Sequence, residues 1–179
     1  MPTVPSTQHP DPRQSVPLYR IFDLQIFDHW YTTTSEYEKK DQYVHQGVAA
    51  YIFPTQVTNT TPLFLFWLEE AGDHFITAER SEMEAWLHAH RENNRVRYSG
   101  ILGYVFKDSS SGGVPFYKLY NANRNNHLYT ACEAERKHAR ESGYRDDGPI
   151  GWVYPGSCSE PPSVVQMDDV NLHPGASPT

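Results

Sequence analysis

Three stretches of the chain share one alternation of apolar and polar positions. They read VPLYRIF from residue 16, TPLFLFW from 61 and VPFYKLY from 114. Each opens on a proline, which a strand tolerates at its start, and then alternates with the period of a half-buried strand. A second set closes on a small residue followed by an aromatic, a β-branched residue and another aromatic: VAAYIFP, ILGYVFK and IGWVYPG. These predict strands packed on both faces. Between the two sets lie DHWYTT, DHFITA and NHLYTA, short aromatic- and threonine-rich phrases that predict a further strand pairing with the first. The intervening segments DLQIFD, LEEAGD and NANRNN read as hairpin turns.

A helix is predicted after each phrase, in TSEYEKKDQYVHQ, ERSEMEAWLHAHRE and CEAERKHARES. The middle one carries Met83, Trp86, Leu87 and His90 at the spacing of one helical face. Ser35 with Glu38, and Thr130 with Glu133, fit capping boxes, and Gly47 and Gly143 fit helix C-termini.

The register is carried by two independent anchors. His29, His74 and His127 recur at the same offsets as Pro17, Pro62 and Pro115. The fold class expected is α+β, mainly β: three β-β-α-β repeats at 16–60, 61–113 and 114–156. Units this small cannot each hide an apolar face, and closing around a pseudo-threefold axis would remove strand edges. A propeller-like closure is expected, with a β-trefoil as the alternative. Residues 1–15 and 157–179 are Pro- and Ser-rich and read as flexible tails, and SSSGG at 109–113 as a surface linker.

Composition narrows the function. Aromatics make up 13% of the chain, with 12 Tyr and 4 Trp, so rings build much of the core. The net charge of −7 argues against nucleic acid and anionic lipid as partners. No apolar run reaches the roughly 20 residues of a membrane span, and the N-terminus lacks a signal-peptide core. A cytoplasmic location is expected, with leaderless secretion as the alternative. Cys132 and Cys158 read as free thiols, a disulfide between them being the alternative.

These units resemble a repeat domain of unknown function found in bacterial cell-wall hydrolases and in fungal proteins. The resemblance covers residues 16–156. Because such repeats accompany a catalytic domain, it implies binding of carbohydrate or cell wall rather than catalysis. The chain departs from the repeat at three places: Tyr37 stands where units two and three have Glu82 and Glu135, Ile76 where the others have Tyr31 and Tyr129, and Leu65 where they have Arg20 and Lys118.

Two roles fit the repeated phrase. In one, each His is a buried polar group that fixes the fold. In the other, Asp28, His29, Trp30 and Tyr31, with Asp73, His74 and Phe75 and with Asn126, His127 and Tyr129, place polar groups beside aromatic platforms. That combination suits glycans, and repetition would add avidity. The leading expectation is a multivalent, lectin-like protein whose partners are glycans, with no catalytic residues, metal or cofactor. The alternatives are an enzyme or metal protein with one central site built from the three His, and a protein-interaction module.

Overall fold

The computed structural model describes residues 10–36, 40–90, 92 and 95–158. The protein is mainly β. Unit one comprises β1 (Val16–Asp23), β2 (Asp28–Thr32) and β3 (Tyr43–Ile52). Unit two comprises β4 (Thr60–Leu68), β5 (Asp73–Thr77), α1 (Arg80–Ala89) and β6 (Val96–Phe106). Unit three comprises β7 (Val114–Asn121), β8 (Asn126–Thr130), α2 (Glu133–Glu141) and β9 (Arg145–Pro155).

In each unit the first strand pairs antiparallel with the other two. The third strands then join the units: Tyr51 pairs with Tyr154, Phe106 with Trp152, and Phe53 with Tyr104. The ladder runs β2-β1-β3-β9-β6-β4-β5, with β7 and β8 branching from β9, so it is open. The hydrogen-bonded ladder thus supplies neither the expected propeller nor the trefoil. β2, β5 and β8 each pair with one strand only, and all three pack together.

The core is triplicated too. Leu18, Leu63 and Phe116 from the first strands are fully buried, with Ile52, Val105 and Val153 from the third. The small residue of each closing motif has a packing reason. A Cβ on Gly103 would lie 2.5 Å from Ile52 Cδ1 and 3.0 Å from the Phe53 carbonyl oxygen of the preceding unit. One on Gly151 would collide with Val105 and approach the Phe106 carbonyl oxygen to 3.2 Å. Ala50 holds the matching place in unit one, opposite Leu18.

Several expectations change. No helix forms among the described residues between β2 and β3, and Tyr43–Gln46 belong to β3. The segment carries Tyr43 and Val44, which favour strand. Gly47 is no helix end. It has φ 82° within β3, as Gly100 and Gly148 have φ 106° and 85° at bulges in β6 and β9. The Ser35 capping partner, Glu38, lies outside the described residues. α2 begins after Cys132 without a side-chain cap, because Thr130 Oγ1 instead accepts the Cys132 backbone N–H at 3.0 Å. Thr77 does the same for Glu79. Gly143, with φ 88°, does follow the end of α2.

The tails are also shorter than expected. Pro12–Gln14 form a 3-10 turn, and the Tyr154 hydroxyl donates to the Pro10 carbonyl at 3.2 Å. Residues 1–9 and 159–179 lie outside the described residues. In the 109–113 linker Ser111 is buried, where it accepts a hydrogen bond from the Asn59 amide.

The cysteines are joined, not free. Cys132, at the start of α2, is bonded to Cys158, with Cα atoms 5.5 Å apart. After β9 the chain runs on along β3, where Ser157 N–H donates to the Val48 carbonyl, and this brings Cys158 back to α2. Cysteines 26 residues apart gave no sequence signal of that return.

Two stability predictions follow from this packing. Gly151→Ala should destabilise the protein by about 1–3 kcal/mol in chemical denaturation, since stiff Val105 and backbone must move. Reduction, or Cys158→Ser, should lower stability by up to about 3–4 kcal/mol, the loop-entropy value for a closure of this length. Equal denaturation midpoints with and without reductant would contradict it.

Candidate functional site

β2, β5 and β8 expose backbone groups on the side away from their ladders. Those groups are met by side chains from the neighbouring unit. Asp28 accepts the His74 backbone N–H at 3.0 Å and contacts His74 Nδ1 at 2.5 Å. Asp73 accepts the His127 backbone N–H at 2.9 Å and contacts His127 Nδ1 at 2.5 Å. Asn126 accepts the His29 backbone N–H at 3.2 Å, and its amide lies 2.9 Å from His29 Nδ1. Each unit therefore grips the next, and the third grips the first.

Tyrosines make a second, inner set. The Tyr31 hydroxyl donates to the Tyr129 carbonyl and accepts the Tyr129 N–H, at 2.9 and 2.7 Å. The Tyr129 hydroxyl treats Ile76 the same way, at 3.0 and 2.7 Å. Ile76 has no hydroxyl with which to repeat this toward Tyr31.

The ten residues singled out from sequence thus separate. Asp28, Asp73, Asn126, His29, Tyr31, Tyr129 and Phe75 are buried. Trp30, His74 and His127 keep partial exposure. The three His do not converge on a metal: each Nδ1 faces a neighbour's carboxylate or amide. No group of three or more His, Cys, Asp or Glu able to hold a metal occurs among the described residues.

Each of the three repeated His also packs on an aromatic ring across its hairpin, seven residues earlier: Phe22 at 4.6 Å, Trp67 at 4.8 Å and Tyr120 at 4.5 Å. That spacing is visible in the sequence.

The residue after each His distinguishes the units. Phe75 lies under Trp86 of α1, ring centroids 5.3 Å apart, and Leu128 lies with Ala139 of α2. Trp30, where the described chain forms no helix, is half-buried and lines a groove of about 330 Å³. Unit one supplies Asp23, Ile26, Asp28, Trp30 and Tyr43, and unit two supplies Trp67, His74 and Arg97. Trp30 and Tyr43 meet edge to face at 5.5 Å, and the Trp67 indole N–H is tied to Glu69 at 2.6 Å. Tyr43, Trp67, Arg97, Asp23 and Ile26 were missed by sequence reasoning because four strands and a turn deliver them.

A family model described as a domain of unknown function, DUF5648, matches residues 4–98 and again residues 88–171. The chain belongs to the DUF5648 family. Each match runs through more than one of the three units. No curated protein and no solved structure matches the chain.

In this DUF5648 chain the sequence departures explain one another. Arg20 of unit one forms a two-pronged, buried pair with Glu135 of unit three, at 2.5 and 2.8 Å. Lys118 of unit three reaches Glu82 of unit two at 3.5 Å. The remaining pair would join unit two to unit one, and there the chain has Leu65 and Tyr37 in place of cation and acid. Cation and acid are lost together, as expected where one alone would be a buried unpaired charge. Tyr37 lies outside the described residues.

The electrostatics follow burial. Burial, with the Arg20 charge nearby, pushes His29 from the ordinary 6.5 down to about 3, so its ring is neutral. Its partner is accordingly the neutral Asn126. Burial would raise the Glu135 carboxyl, but the Arg20 charge and hydrogen bonds outweigh it and hold the group low. Burial raises Asp73 despite the hydrogen bond from His127.

For His29, stability is complete above about pH 6.5 and falls as pH drops toward 3, because the unfolded chain takes a proton that the folded one refuses. The Glu135 contribution is lost at lower pH, and that of Asp73 has the opposite sign. Thermal unfolding should show the wild type losing more stability than His29→Gln between pH 7 and 5, by up to about tenfold in the folding constant per pH unit. Parallel pH profiles for the two proteins would refute a neutral buried His29.

Proposed function

We propose that this protein is a lectin-like carbohydrate-binding module with no chemistry of its own, and that its site is the groove between units one and two. The observation that supports it is the meeting of the Trp30, Tyr43 and Trp67 rings with His74 and Arg97 around one open volume. Indole and phenol rings suit the apolar faces of sugar rings. Imidazole, guanidinium and Asp23 suit hydroxyl edges. The volume falls at the low end of the roughly 300–1,000 Å³ typical of small-ligand sites. A net charge of −7 favours a neutral glycan over an acidic one.

The expected multivalency narrows. At the other two seams the positions matching Trp30 are Phe75 and Leu128, both buried against helices. We therefore read one groove per chain. The triplicated phrase then serves chiefly to hold the units, and we further propose that these surround a pseudo-threefold axis. Support comes from the cyclic grip of Asp28, Asp73 and Asn126, and from Phe53, Phe106 and Tyr154, whose rings lie 5.2, 6.1 and 5.4 Å apart in pairs. The Cys132–Cys158 bond favours work in an oxidising compartment, and so export over a cytoplasmic location.

A glycan array followed by calorimetry tests the reading. Binding should be insensitive to chelator and show a stoichiometry near one. Trp67→Ala, and separately the exposed Arg97→Ala, should weaken it at least about tenfold, or about 1.4 kcal/mol. A blank array, or unchanged affinity in both variants, would refute the groove. Loss of binding on chelation would transfer the role to a metal.

A further inference from the structure

The turn between β1 and β2 departs from its two counterparts in a way that the fold does not require. The three turns read Leu24-Gln25-Ile26-Phe27, Glu69-Glu70-Ala71-Gly72 and Ala122-Asn123-Arg124-Asn125. Their last residues all adopt the left-handed conformation, with φ 59° at Phe27, 65° at Gly72 and 46° at Asn125. Glycine reaches that region freely and asparagine readily. A bulky side chain there is an outlier. The two sister turns close hairpins of the same length without an aromatic, so unit one holds Phe27 in a strained conformation for some other reason.

Burial is not that reason. Leu24, Ile26 and Phe27 are 42%, 44% and 44% exposed, and the ring contact of Phe27 is an edge approach to Phe22 at 6.3 Å. Strain kept where it gains little packing marks a functional position. Three neighbouring exposed apolar residues mark an interaction site. The turn is also continuous with the groove. Ile26 lines both, and Gly72 of the neighbouring turn lies close enough that an added Cβ would sit 3.9 Å from Ile26 Cβ.

We propose that the turn of residues 24–27 extends the groove and packs on a further ring of the ligand, so that the glycan bound is an oligomer or polymer rather than a single sugar. This rests on the groove reading above. The chemistry of the turn favours such an occupant. The sister turns carry Glu69, Glu70 and Arg124, whereas this one has the apolar Leu24 and Ile26 in place of Glu69 and Arg124 and the neutral amide Gln25 in place of Glu70. A neutral sugar chain presents the same mixture, an apolar ring face beside hydroxyls. The groove is small, so rings beyond those seated on Trp30, Tyr43 and Trp67 must leave it, and Ile26 carries its lining into the turn.

The test uses the full chain with β-1,4-linked N-acetylglucosamine oligomers and β-1,3- and β-1,4-linked glucose oligomers of one to six rings. Wild-type affinity should rise about tenfold or more once the oligomer outgrows the groove. Phe27→Asn restores a sister-turn residue. It should melt at a higher temperature than wild type, keep its affinity for the shortest binding oligomer, and lose the gain with length. A Phe27→Asn protein that is less stable than wild type, or one that retains the gain with length, overturns the proposal. A wild type that binds every length equally also overturns it while sparing the groove. A wild type that binds none of these probes, or whose binding survives Trp67→Ala and Arg97→Ala, overturns the groove and this proposal together.

Discussion

Three strands of this protein have an unpaired edge turned toward the interior, and everything else depends on how those edges are satisfied. An exposed strand edge invites pairing with another chain, and a buried one strands backbone N–H and C=O groups away from water. β2, β5 and β8 meet side by side without forming a ladder. Their outward N–H groups are instead taken up by Asp28, Asp73 and Asn126, and by the hydroxyls of Tyr31 and Tyr129. A side chain can meet a backbone group across a wider gap, and at a steeper angle, than a second strand can. That lets three hairpins converge where a continuous sheet would have to twist shut. The same two carboxylates and the Asn126 amide hold the histidine rings, which fixes the ring faces for the aromatic residues packed on them.

Much of this was legible from repetition alone. The prolines, the histidines and the small residues of the closing strands gave three units in one register, and the hairpins formed where the alternation placed them. The departures Tyr37, Leu65 and Ile76 were legible as departures. What they belonged to was not, because each is half of a relationship between units. Leu65 gains meaning only once Arg20 is seen against Glu135 and Lys118 against Glu82, and Ile76 only once Tyr129 is seen to reach it. A period in the sequence reports what a unit contains and is silent about which neighbour each residue faces. The helix expected in unit one does not form among the described residues, and for a local reason: polar residues and lysines can suggest a helix, yet Tyr43 and Val44 pair with β1.

The candidate groove was legible in part: Asp28, Trp30 and His74 stood out in the sequence, whereas Asp23, Ile26, Tyr43, Trp67 and Arg97 did not. The repeated phrase holds the residues most used in the interior, and a ligand would compete with the fold for them. Residues that recur in every unit are those the architecture needs three times. A site found at one seam only must add residues that do not recur, and Trp30, Tyr43, Trp67 and Arg97 are of that kind. Their counterparts differ in chemistry: Phe75 and Leu128 for Trp30, Phe22 and Tyr120 for Trp67.

Unit one is where the repeat is least complete, and the incompleteness is coherent. The position that helices bury in units two and three is occupied there by a half-buried indole. The turn that elsewhere carries charge or glycine carries apolar side chains, one of them in a backbone conformation its sisters reserve for Gly72 and Asn125. The ion pair that would tie unit two to unit one is replaced at both ends. Each change on its own is a small loss of regularity. All three concern the first unit, and the groove and the altered turn adjoin each other. A repeat protein whose seams are each held by several bonds can lose the regular features of one without unfolding, and this seam keeps the Asp28 grip on His74 while the surface above it diverges.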